Sequence, residues 1–115
     1  MLLIGNVINM KEMFKECNKF NQELNRWDVS NVKNMYQMFK NCYLFDRQLN
    51  LWKVNKVEIM SEMFGNCYHF NRELDKWKPR NVKNMKGLFL NCRRFNQPLN
   101  NWDVSNVEDM SYMFE

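Results

Sequence analysis

The sequence is poor in the residues that punctuate and catalyse. Its 115 positions hold three glycines, two prolines and one histidine. With so little glycine there is no phosphate-cradling loop and no nucleophile elbow. His69 stands alone, without a base or nucleophile at a recognisable spacing, and is expected to decorate a loop, so no catalytic residue is assigned. No apolar run approaches the roughly 20 residues needed to cross a bilayer. The opening MLLIG lacks the basic region and small-residue cleavage site of a signal peptide, so no export address is expected. No Pro- or Gly-rich linker divides the chain, which reads as a single array over residues 1–115.

What the sequence has is a repeat. Trp27, Trp52, Trp77 and Trp102 recur every 25 residues, and so do Cys17, Cys42, Cys67 and Cys92. Leu24, Phe20 and Val7 begin further columns with the same interval, and no insertion breaks the register. A fixed period of 20 to 50 residues marks stacked supersecondary units. One unit offers too little apolar surface to offset the entropy of ordering it, so neighbouring units must stack.

Within a unit two patterns follow each other. Leu24, Trp27 and Val29 give L-x-x-W-x-V, whose last two members alternate as in a half-buried strand. Met35, Met38, Phe39 and Cys42 fall at i, i+3, i+4 and i+7, one face of a short α-helix. Asn34, Asn84 and Asp109 stand where N-caps are wanted, and Asn41, Asn66 and Asn91 where a left-handed residue would close the helix. The predicted architecture is an α/β right-handed solenoid of 25-residue leucine-rich-repeat-like coils, each a short parallel β-strand plus a short α-helix. Its strands fall near 24–29, 49–54, 74–79 and 99–104, with Leu2 and Ile4 in a truncated strand over Met1 to Ile4. About 4.5 coils result, apparently uncapped at both ends. With Leu2, Ile4, Trp102, Val104, Met110 and Phe114 partly uncovered, end-to-end self-association is expected.

The string FNQPLNNWDVSNVEDMSYMF at 95–114 strongly resembles the 25-residue repeat of BspA-like leucine-rich-repeat surface proteins and lipoproteins, and the resemblance covers the whole chain. It implies a cell-surface or extracellular setting, a role in binding or adhesion, and no catalytic position. The third coil departs from the pattern at Pro79, Leu88 and Leu90. Pro79 replaces the strand valine and is expected to weaken the sheet locally, because proline cannot donate to a ladder.

The tempting motifs have plainer readings. Metal sites favour closely spaced cysteine pairs; these cysteines are 25 residues apart on a predicted apolar face, so a ladder of buried thiols is expected, with a disulfide between neighbours left open. Most methionines and the four tryptophans fall in core columns, which counts against a copper site or a sugar-stacking platform. No metal and no cofactor are expected.

The variable columns remain. Arg26, Asp28, Lys53, Lys76, Lys78, Arg80 and Asp103 lie in or beside the outward phase of the predicted strands, where the residue changes from coil to coil. They form the candidate partner-binding face, for a protein or glycan ligand. Residues 76–94 add Lys83, Lys86, Arg93 and Arg94 to this basic stretch, while all 13 acidic residues lie elsewhere. Such an asymmetry fits an acidic protein, a sulfated glycan or nucleic acid; it also fits a solvated surface. Base-stacking aromatics in core columns count against nucleic acid. The expected function is a non-enzymatic structural or interaction module. The alternatives are a polyanion-binding module using the basic third coil, and a non-functional fragment of a longer array.

Overall fold

The computed structural model describes residues 5–115. The expected strand over Met1 to Ile4 lies outside them. Every 25 residues the backbone returns to register with itself, through parallel single-pair bridges at Asn9–Asn34, Asn34–Ile59, Ile59–Asn84 and Asn84–Asp109. The chain therefore stacks in coils, but not in the coils predicted. Among the described residues there is no α-helix, and the bridges are isolated contacts instead of strands. The α/β solenoid of strand-plus-helix coils is overturned. So are the strands at 24–29, 49–54, 74–79 and 99–104, where the chain runs through turns and irregular backbone.

The hydrogen bonds of residues 34–42 give the physical reason. In a helix each N–H would reach back four residues. Here the amides of Met35, Gln37, Phe39 and Asn41 donate to the carbonyls of Ile59, Ser61, Met63 and Gly65 in the next coil. The carbonyls of Asn34, Tyr36, Met38 and Lys40 accept from Met10, Glu12, Phe14 and Glu16 in the coil before. The intervening amides of Met38, Lys40 and Cys42 close turns onto Met35, Gln37 and Phe39. Alternate peptide units thus bond along the stack and within the coil, which leaves the segment's backbone satisfied without a helix.

Such a ribbon of overlapping turns needs left-handed residues. Gln37 and Asn41 have φ of 52° and 64°, and Glu62 and Asn66 repeat them at 54° and 60°. The left-handed conformation disfavours side chains with a Cβ; in the third coil the Gln37 position is Gly87, at φ 61°. Asn41, Asn66 and Asn91 are left-handed as anticipated, but they end turns. Their side chains also join, Asn66 Nδ2 to Asn41 Oδ1 at 2.7 Å and Asn91 Nδ2 to Asn66 Oδ1 at 2.9 Å. Asn34, Asn84 and Asp109 accept the amide two residues on, as a cap would, with no helix following.

Pro79 is not a defect. The amides of Val29, Val54 and Val104, its equivalents, donate to no backbone carbonyl among the described residues, while the Pro79 carbonyl closes the same turn onto Val82 that Val54 closes onto Val57. Its missing N–H therefore removes no ladder bond.

The core lies inside the coils as columns of like residues. Phe39 stacks on Phe14 and on Phe64 at 5.6 Å each, and Phe89 and Phe114 continue that file. Phe20, Phe45, Phe70 and Phe95 form a second file, and Trp52, Trp77 and Trp102 a third. Each of those indoles donates to a leucine carbonyl of the preceding coil, as Trp52 Nε1 does to Leu24 at 2.8 Å. The methionines at 35, 38, 60, 63 and 85 are fully buried around these files. The body measures 32 × 30 × 22 Å.

Candidate binding face

A coil completes its circuit in 25 residues, so the exposed residues form columns along the stack, and a charge cluster is built from neighbouring coils more readily than from one linear run. Asp28, Lys53, Lys78 and Asp103 occupy one such column. Turns fix its acidic ends. Asp28 Oδ1 accepts from the Ser30 hydroxyl at 2.6 Å and amide at 3.0 Å, and Asp103 binds Ser105 in the same way. These bonds hold both carboxyls below the usual carboxylate range, with smaller contributions from Lys53 on Asp28 and Arg80 on Asp103.

Between those ends lies a groove of about 320 Å³ lined by Asn50, Leu51, Trp52, Lys53, Asn55, Lys76 and Lys78. The structure therefore brings together Lys53, Lys76 and Lys78 from two coils. Arg80, Arg26, Asp28 and Asp103 are exposed or fixed in turns and do not line it. Leu51, 57% exposed, supplies an apolar patch that a list of charges misses. Among the described residues the ion pairs are Lys15–Glu12, Lys40–Glu62 and Arg72–Asp46, so the groove's three ammonium groups are uncompensated by direct pairing.

The rest of the basic stretch disperses. Lys83 faces another groove, of about 360 Å³, with Lys33, Lys56, Glu58 and Asn81. Lys86 lies 6.0 Å from the centroid of the Tyr112 ring, and Arg93 covers Tyr68 at 4.3 Å. A 19-residue basic run goes most of the way around one coil and cannot form one face. Reading columns across coils puts Lys33 and Lys83 in one column with Glu58 between them, and Lys56 enters the groove from a second column, with Asn81.

The thiol ladder is three-quarters internal. Cys42 and Cys67 are buried and Cys92 half-buried, but Cys17 is exposed, and all four are free. His69 Nδ1 lies 2.8 Å from the Tyr43 carbonyl, in a part-buried contact across coils. No group of three His, Cys, Asp or Glu side chains suited to a metal occurs among the described residues. No helix there is long and apolar enough to cross a membrane.

Stacked 25-residue units with a uniform interior and variable exposed columns define a repeat protein. A family described as "Mycoplasma protein of unknown function, DUF285" matches residues 4–68, more than half of the chain, and the chain belongs to that family. Comparison with curated proteins and with solved structures finds no match.

Proposed function

We propose that the chain is a non-enzymatic interaction module that engages an acidic protein or glycan through the groove of Lys53, Lys76 and Lys78, with Arg80 two residues beyond. The carrying observation is the convergence of three unpaired ammonium groups around the exposed Leu51. Uncompensated like charge on a concave surface raises the local concentration of anionic partners and speeds their capture. A cell-surface setting and kinship with BspA-like proteins rest on the sequence resemblance. Nucleic acid is a weaker fit, because Trp52, Trp77 and Trp102 are buried and donate their indole N–H groups inward, leaving no base-stacking platform in this column.

The test is a titration of heparin and polyglutamate into two charge-reversal variants. Lys76→Glu, Lys78→Glu and Arg80→Glu together should weaken binding by at least about tenfold, with the native interaction falling as salt rises, since exposed charges are screened over about 10 Å at 0.1 M. The same reversal at Lys11, Lys15 and Lys19 should matter much less. Equal losses in the two variants would mean attraction by net charge alone.

A further inference from the structure

Asn50 lines two cavities. On one side is the lysine groove; on the other is a space of about 180 Å³ walled by Gln48, Asn50, Asn71, Arg72, Glu73 and Gln97. All six side chains are polar. The amides present donors and an acceptor side by side, the guanidinium only donors and the carboxylate only acceptors. A hydroxyl both donates and accepts, so this wall matches a ligand covered in hydroxyls better than one carrying a single charge.

Four of the walls are already fixed. Asn50 accepts from the Lys76 amide at 3.0 Å and donates to Asp75 at 2.9 Å. Asn71 Oδ1 accepts from the Asn96 amide and from the Gln97 side chain, both at 2.9 Å. Arg72 is paired with Asp46 at 3.1 Å. Groups held in place before a ligand arrives lose little freedom on binding. Gln48 and Glu73 make no side-chain hydrogen bond or ion pair among the described residues, so their polar atoms remain free for a ligand. Pockets that enclose drug-sized molecules run to roughly 300–1,000 Å³; this one has room for a single ring of a longer chain.

We propose that the amide-walled cavity and the lysine groove form one bipartite site for a sulfated oligosaccharide, a sugar ring meeting Gln48, Glu73 and the fixed amides while a sulfate on the same chain reaches Lys53, Lys76 and Lys78. The proposal rests on the reading of the lysine groove as a binding face and selects glycan over protein. An acidic peptide has use for the lysines but no run of hydroxyls for the adjoining amides, and a nucleic acid offers at most one ribose hydroxyl per nucleotide.

The probes are a heparin-derived tetrasaccharide, its desulfated counterpart and inorganic polyphosphate, titrated against the full chain. Gln48→Ala and Glu73→Ala, both at exposed positions, should each weaken the tetrasaccharide about fivefold, the effect of losing roughly one net hydrogen bond. Neither should weaken polyphosphate. Lys53→Gln with Lys78→Gln should weaken both ligands, and desulfation should remove most of the affinity. If the two cavity variants bind tetrasaccharide like the parent, or lose polyphosphate equally, the bipartite site is wrong and the lysine groove stands alone. A desulfated sugar that binds as tightly as its parent also overturns it. Lysine variants that leave every ligand unaffected would overturn the binding face itself.

Discussion

The Cys67 thiol donates to the Phe39 carbonyl at 3.1 Å, and Cys42 and Cys92 donate likewise to Phe14 and Phe64 at 3.0 and 2.9 Å. A small apolar residue that can still donate weakly suits this position, where a carbonyl points inward. Burial pushes the Cys42 and Cys92 thiols up from 9.0 to about 12 and raises Cys67 as well. Two results follow. An aromatic disulfide reagent should modify Cys17 in the native protein and the other three only on unfolding; four fast thiols would contradict the packing. Because the folded values exceed the unfolded one, the thiol contribution is complete below about pH 9 and is lost as pH rises toward 12. Denaturant melts across that range should show a decline that is smaller when Cys42, Cys67 and Cys92 are all Ala.

At the scale of elements, the columns were legible and the backbone was not. The spacing of Met35, Met38, Phe39 and Cys42 correctly marks four inward side chains, all fully buried. That spacing says which side a residue faces, not whose carbonyl its amide meets, and a ribbon of turns produces the same spacing as a helix. The bridge column was hidden for a related reason. Asn9, Asn34, Ile59, Asn84 and Asp109 pair through main-chain atoms while their side chains lie partly outside, so no apolar alternation announces them. The lysine groove was legible as variable columns, with Leu51 in the column of Arg26 and Lys76, but the cavity around Gln48 depends on which coils adjoin. Proline tests this account. Pro79→Val should change stability by less than about 0.5 kcal/mol, whereas Phe39→Pro removes an amide that bonds to Met63 and a buried ring, and should cost at least about 3 kcal/mol in denaturant melts. A large gain from Pro79→Val would restore the idea of a weakened ladder.

Over the whole molecule, the stack spreads one interior across several coils, so that exposed columns vary without disturbing it. Lys53 and Lys78 stand between Asp28 and Asp103 in one column while the indoles beneath stay the same. The alternating peptide units have an electrical consequence too. From each coil to the next, four amides point toward the C-terminal neighbour, as those of Met60, Glu62, Phe64 and Asn66 do, against the Glu58 and Ile59 amides that point back to Lys33. Peptide dipoles of about 3.5 D each therefore add up along the stack. The positive pole lies toward the C-terminal coil, the reverse of an α-helix, whose N-terminus is positive. Glu12 and Tyr112, in one column with φ of 60° and 58°, sample the two poles. An aspartate replacing Tyr112 should titrate at lower pH than one replacing Glu12 at low salt, by NMR, and the opposite order would mean that side-chain charges outweigh the backbone field.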